Sequence, residues 1–170
     1  ELGIDVDSKD ERIAALLEQI KEREFLGYAY DGAEASLELL ARRALGKVPT
    51  YFKVEGFRVS VERRHNAVGD EISVSEAVVK ILADGERIMN VGEGNGPVNA
   101  LDHALRKDLG RYSKWLEDLK LVDYKVRILT AGTEAVTRVM VESADGAGNR
   151  WSTVGVSPNI VDASFEALID

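Results

Sequence analysis

One glycine-rich stretch occurs twice in this chain, and it constrains the fold more than any other feature. The stretch Val91–Leu101 (VGEGNGPVNAL) is matched 63 residues later by Val154–Ser164 (VGVSPNIVDAS). Each copy follows an apolar, strand-like run and precedes an amphipathic helical pattern. The repeat therefore predicts a duplicated domain with a tight strand-to-helix turn in each half.

Each predicted turn lies at a helix N-terminus. Unpaired N–H groups and the positive end of the helix dipole favour an anionic group there, such as a carboxylate or a phosphate. The alternative is that glycine and proline only shape the turns of a duplicated domain. Both interpretations stay open at this point.

Composition narrows the classes of partner. The 170 residues, 45% of them hydrophobic, suffice for one ordinary domain or two small ones. The net charge of −8 argues against nucleic acid and against an anionic membrane surface. With no cysteine, no long apolar run and no signal-peptide pattern, we expect no disulfide, no membrane span and a cytoplasmic location. A start at Glu1 without Met indicates a piece of a longer protein.

Residues 1–48 contain two helical patterns. The sequence Ser8-Lys9-Asp10-Glu11 has capping-box spacing, and an apolar stripe follows it until Gly27, where the helix is expected to end. A second helix is expected after Asp31 and should end before Gly46. We predict a helical linker subdomain over 1–48.

From Tyr51 the apolar period changes to two, which predicts strands. Three strands are expected before the first glycine-rich turn, with a β-bulge at Gly56 and a primed hairpin turn at Asp84-Gly85. The same order returns in the second half. The predicted fold is α+β: an N-terminal helical linker pair, then a domain over 49–170 made of two pseudo-symmetric βββα units, at about 50–112 and 120–170. A three-stranded sheet with one helix is marginal alone, so a homodimer is expected.

No residue pattern indicates catalysis or a metal centre. His65 and His103 lie 38 residues apart and form no metal-binding spacing. Adjacent carboxylates fall at predicted caps and turns. We predict no catalytic residue and no metal ligand in this chain.

The second glycine-rich stretch resembles the C-terminal signature of the regulatory domain in 2-isopropylmalate and citramalate synthases, and Gly94–Leu105 resembles its partner. Gly27–Ser36, the run to Leu45-Gly46 and Val54–Val59 are more similar to the citramalate synthase branch. The resemblance covers nearly the whole chain. It implies that acetyl-CoA condensation and a divalent metal belong to an N-terminal TIM barrel absent from this chain, so this piece needs no cofactor and is not expected to be active alone.

The resemblance also implies a domain that dimerises and binds an amino-acid end product as feedback inhibitor. Isoleucine would be the effector in the citramalate branch, and leucine in the isopropylmalate branch. The alternative is a purely structural dimerisation module without a ligand.

A free amino acid needs amide donors for its carboxylate, an acceptor for its ammonium group and an apolar slot. Only the turn-to-helix segments offer all three. We predict carboxylate binding by backbone amides of the glycine-rich turns, with Asp102 and Asp162 as candidate ammonium acceptors, although Asp162 could instead cap its own helix. Pro158 removes one amide from the second turn, so the two turns are not assumed to be equivalent sites. The predicted effector-binding residues are Gly94, Asn95, Gly96, Pro97, Val98, Ala100, Leu101, Asp102, Asn159, Ile160, Asp162 and Ala163.

Overall fold

The computed structural model describes residues 11–46, 48–130, 132 and 135–170. The element order is two helices, three strands and a helix, then a short 3₁₀ helix, three strands and a final helix. This order confirms the predicted α+β class with two βββα units. The elements are α1 (Glu11–Leu26), α2 (Glu34–Ala44), β1 (Phe52–His65), β2 (Glu71–Ala83), β3 (Glu86–Gly94), α3 (Pro97–Lys107), the 3₁₀ helix (Gly110–Trp115), β4 (Lys120–Ile128), β5 (Thr137–Ala144), β6 (Arg150–Ser157) and α4 (Ile160–Ile169).

The chain divides into two compact units. One unit is Thr50–Leu119, and the other contains the described residues before Thr50 together with Lys120–Asp170. The helical pair therefore belongs to the same unit as the second βββα repeat. The division into a 1–48 linker and a 49–170 regulatory domain stays a prediction.

In the Thr50–Leu119 unit, the three strands form an antiparallel sheet in the order β1-β2-β3. The register between β1 and β2 shifts between Val54 and Gly56, which confirms the predicted bulge. Asp84 and Gly85 both have positive φ, 52° and 83°, as the predicted primed hairpin turn requires. These two devices set the register that places β3 under α3.

Helix α3 covers one face of this sheet. The β2 residues on that face are buried, while the residues of the opposite phase are half-buried or exposed; the buried ones are Ser75, Ala77, Val79, Ile81 and Ala83. Small residues of α3, Ala100 and Ala104, are also fully buried. The helix therefore packs through alanine as well as through the buried Leu101 and Leu105.

Glycine makes this close approach possible. A Cβ built on Gly92 would clash with the backbone of α3, lying 2.6 Å from the carbonyl oxygen of Ala100. Gly155 holds the equivalent place under α4, where a Cβ would clash with the carbonyl of Ala163 and lie 2.9 Å from the amide of Ala167. The two glycines at matching positions of the repeat thus serve helix-on-strand packing.

The other unit is built in three layers. Its antiparallel sheet has the order β4-β5-β6. Helix α4 covers one face around Val139 and Val141. The helical pair covers the other face, where Tyr30, Leu40 and Val154 form a core. Between Leu121 and Asp123 the register of β4 shifts, an irregularity that the sequence pattern did not predict.

The turn after α1 ties the helical pair to the second repeat. Gly27 ends α1 with φ +110°, as predicted. The hydroxyl of Tyr28 donates to Oε1 of Glu166 at 2.5 Å, and Glu166 Oε2 accepts from the amide of Val156 at 3.0 Å. Burial and this carboxylate raise the pKa of Tyr28. One carboxylate on α4 thus joins the Gly27 turn to β6.

Of the two helix starts predicted in residues 1–48, the first falls mostly outside the described residues, and the second, after Asp31, agrees with the structure. The capping box at 8–11 falls mostly outside the described residues, which begin at Glu11. Helix α2 begins at Glu34 with Ala33 as its N-cap, and no side chain caps it. Asp31 lies two residues too early to do so. No helix in the described part of the chain is long and apolar enough to cross a membrane.

We expect Gly155→Ala to destabilise the protein by about 1–3 kcal/mol, because the added methyl group meets helix backbone that cannot move as a flexible side chain would. Urea unfolding followed by circular dichroism measures this. Gly56→Ala is the matched control, since Gly56 also lies in a strand, has no positive φ, and a Cβ there meets nothing within 4 Å. Equal unfolding midpoints for the two variants would contradict the packing role of Gly155.

Candidate functional site

The first glycine-rich turn ends in a helix N-terminus without a side-chain cap. Strand β3 extends to Gly94, so only Asn95 and Gly96 connect it to α3. Gly96 is the N-cap, with extended backbone (φ −165°, ψ 170°) and no side-chain hydrogen bond, and Pro97 occupies the first helical turn. The amides of Val98 and Asn99 have no carbonyl partner within the helix. They are therefore donors available to an anion.

Asn99 orders this turn from within the helix. Its Oδ1 accepts from the amide of Asn95 at 3.1 Å, and its Nδ2 lies 3.3 Å from Nε2 of His103. Nδ1 of His103 lies 2.7 Å from the carbonyl oxygen of Glu93, which fits the tautomer protonated at Nδ1. The amide of Asn95, one of the predicted carboxylate donors, is thereby already bonded. Sequence reasoning missed Asn99, although an Asn three positions after the N-cap is a visible signal for such a contact.

Gly94 and Gly96 differ in what surrounds them. A Cβ on Gly94 would lie 2.6 Å from the amide nitrogen of Ala100, whereas one on Gly96 would meet nothing within 4 Å. Gly94 is thus a packing glycine at the end of β3. Gly96 faces open space at the start of α3.

The second turn is capped by its own residues. Asn159 is the N-cap of α4, and its Oδ1 accepts from the amide of Val161 at 2.9 Å. The amide of Asn159 in turn donates to Oγ of Ser157 at 3.1 Å. The two turns are therefore not equivalent, because the second already satisfies a donor that the first leaves open.

The predicted ammonium acceptors also differ. Asp102 is buried on α3, where its Oδ1 accepts from Nε of Arg106 at 2.5 Å. Asp162 is exposed in the first turn of α4. The Asp102 carboxylate is already paired and desolvated, while that of Asp162 stays open to solvent.

Five of the predicted effector-binding residues, Val98, Ala100, Leu101, Ile160 and Ala163, were expected to form the apolar slot, and most of them are packed inside the two units. Ala100, Leu101 and Ala163 are fully buried, whereas Val98 is half-buried and Ile160 is exposed. Val98 belongs to the α3 turn with Gly96 and Pro97, and Ile160 to the α4 turn. The structure brings Gly94–Asp102 together in one unit and Asn159–Ala163 in the other.

An apolar cavity that the sequence did not single out lies in the Thr50–Leu119 unit. Its volume is about 380 Å³, and aromatic side chains form much of its wall; the lining residues are Tyr51, Phe52, Leu109, Tyr112, Trp115 and Leu116. The rings of Tyr51 and Tyr112 meet edge to face at 5.5 Å. The sequence signal for this cavity was the occurrence of aromatic residues in two separate stretches, at 51–52 and at 112–115. Within the described residues, no group of three or more His, Asp or Glu side chains could hold a metal ion.

Comparison with known proteins identifies a family. Residues 31–170 match the model of the LeuA allosteric (dimerisation) domain. The chain is 51% identical to an (R)-citramalate synthase of Geobacter sulfurreducens and 48% identical to one of Streptomyces coelicolor, covering all of this chain and 32% of each relative. It is 28% identical to a 2-isopropylmalate synthase of Methanocaldococcus jannaschii, again over all of this chain and over 30% of the relative. The chain thus spans about a third of the length of these relatives.

We expect Asn159→Ala to destabilise the unit that contains α4 by about 1 kcal/mol, because the amide of Val161 loses its cap. Thermal unfolding, with amide hydrogen exchange at Val161, measures the loss. Asn149→Ala is the control: it removes an exposed asparagine of the same unit, whose Nδ2 donates to Oδ2 of Asp145 at 2.8 Å, and it should leave exchange at Val161 unchanged. An unchanged exchange rate at Val161 would show that the observed cap contributes nothing.

Proposed function

Since this chain belongs to the LeuA allosteric (dimerisation) domain family, we propose that it is the feedback-regulatory part of a citramalate synthase, an acetyl-CoA-dependent acyltransferase. In this proposal it binds isoleucine and forms a homodimer. Higher identity to (R)-citramalate synthases than to 2-isopropylmalate synthases supports the citramalate branch. Acetyl-CoA and a divalent metal would bind a part of the cytoplasmic parent protein that lies outside this chain.

One observation carries the ligand-binding proposal: α3 begins at Gly96 without a side-chain cap. A carboxylate at this position would accept from the amides of Val98 and Asn99 and would interact favourably with the helix dipole. The open space at Gly96 allows such a group to approach. The half-buried Val98 offers apolar contact beside it. We therefore place the effector carboxylate at the α3 turn rather than at the self-capped α4 turn.

A specific observation favours the structural alternative for the other glycines. Gly92, Gly94 and Gly155 are each required by close packing of helix on strand, so their presence needs no ligand. Gly96 is the glycine of these turns that packing does not explain. The regulatory proposal uses its open space for a ligand, whereas the structural alternative gives that space no role. Leucine, the effector expected for the isopropylmalate branch, is the remaining candidate ligand.

We expect isoleucine to raise the unfolding temperature of the protein, because a ligand that binds only the native state adds about 2.7 kcal/mol at 100 times its Kd. Differential scanning fluorimetry with isoleucine, leucine and valine measures the shift and ranks the three. A larger shift with leucine would assign the chain to the other branch. No shift with any of the three would support the purely structural module.

Gly96→Val should abolish the isoleucine shift and keep the fold, because the extended backbone at Gly96 accepts a β-branched residue and the side chain would stand where the carboxylate approaches. Gly96→Asp should do the same by supplying a carboxylate of its own as a cap. Calorimetric titration with isoleucine measures both. Unchanged affinity in the two folded variants would place the site elsewhere.

We expect a homodimer in solution at tens of micromolar protein. The family model describes a dimerisation domain, and several large apolar side chains of the edge strands are exposed, among them Val61, Val126 and Ile128. Size-exclusion chromatography with light scattering should return twice the 18.6 kDa of one chain. A mass of 18.6 kDa at this concentration would contradict the prediction.

A further inference from the structure

Two arginines stand directly opposite each other in the sheet of the second repeat. Arg127 on β4 and Arg138 on β5 are cross-strand partners in the antiparallel register. Like charges at directly opposed positions destabilise a sheet. Arg138 is also half-buried, and its Nε donates to the carbonyl of Gly27 at 2.5 Å. That contact orients one guanidinium beside the Gly27 turn and leaves its terminal nitrogens for another acceptor.

Neither arginine has a carboxylate partner among the described residues. The other positive charge at this end of β4, Lys125, is paired with Asp123 at 2.6 Å. Glu166, which contacts the turn after α1 through Tyr28, accepts from the hydroxyl of Tyr28 and from the amide of Val156. Burial and the charge of Arg127 together lower the pKa of Arg138. Among the residues that the structure describes, the pair therefore has no carboxylate counter-charge.

We propose that Arg127 and Arg138 form a binding site for an oxyanion, a carboxylate or a phosphate group, beside the Gly27 turn. Two guanidinium groups provide the planar, multiple N–H donors that such oxyanions accept from. A bound anion would also remove the repulsion between the opposed charges. The site lies in the unit containing Lys120–Asp170, whereas the α3 turn lies in the other unit, so it does not depend on the effector site proposed above.

The chain offers a matched control on β1. Arg58 and Arg64 also have no carboxylate partner within the described residues, but each is exposed and faces an apolar residue in register, Val78 and Ile72 respectively. Each is thus a single solvated charge rather than half of an opposed pair. Arg58→Gln removes one positive charge from the protein without altering the proposed site.

The experiment titrates inorganic phosphate, and separately malate, into ¹⁵N-labelled protein at constant ionic strength and follows the amides of Gly27, Arg127 and Arg138. We expect saturable shifts that are at least about tenfold weaker in affinity for Arg127→Gln and unchanged for Arg58→Gln. Arg138→Lys keeps the positive charge but loses the planar set of N–H donors of the guanidinium group, so it should also weaken binding. Saturation by phosphate or by malate identifies which source of oxyanion the site takes.

Two results would overturn the proposal. The first is a set of shifts that do not saturate, or that are equal in the Arg127→Gln and Arg58→Gln proteins. The second concerns Glu134, which lies outside the described residues. If Glu134→Gln binds phosphate and the unaltered protein does not, the chain itself supplies the counter-charge. Replacement of Arg138 could disturb the Gly27 turn, because Arg138 donates to the carbonyl of Gly27. Arg127 is exposed, so Arg127→Gln should keep the fold and tests the site independently.

Discussion

The structure depends on the contact of a helix backbone with a strand backbone in each βββα repeat. At Gly92 and Gly155 the strand lacks a side chain, and the overlying helix approaches until a single methyl group would clash with its backbone. This contact sets how deeply α3 and α4 sit on their sheets, and it is made with alanine from the helix side, at Ala104 and Ala163. The strand-to-helix turns, and whatever they bind, are positioned by this packing.

The two turns then diverge through one side chain. Asn159 caps α4, whereas Gly96 leaves α3 uncapped. A capped helix has already satisfied a first-turn donor, and an uncapped one offers it to solvent or to a ligand. A duplicated architecture can thereby carry one binding turn and one structural turn. The proposed regulatory function fits this asymmetry. An allosteric (dimerisation) domain needs a position that responds to a ligand, which we propose is the α3 turn, as well as a stable scaffold.

The opposed arginines of the second repeat also leave groups available to a ligand, here guanidinium groups rather than backbone amides. Folding places Arg127 and Arg138 across one register position, and the carbonyl of Gly27 holds one of them there. Two like charges directly opposite each other lower the stability of a sheet, and no carboxylate of the described residues pairs with either arginine. The proposed oxyanion would offset this cost when bound, because its negative charge removes the repulsion between the two guanidinium groups.

The sequence by itself determined the repeat, the strand and helix order, the bulge at Gly56 and the primed turn at Asp84-Gly85, because periodicity and turn chemistry are local properties. Only the tertiary structure decided which glycines pack and which one is open, since spacing alone treats Gly92, Gly94 and Gly96 alike. It also decided that the helical pair shares a unit with the second repeat, and that Ala100, Leu101 and Ala163 are buried. Local pattern specifies a side chain's phase along its element, but the distance to a neighbouring backbone is set by long-range packing.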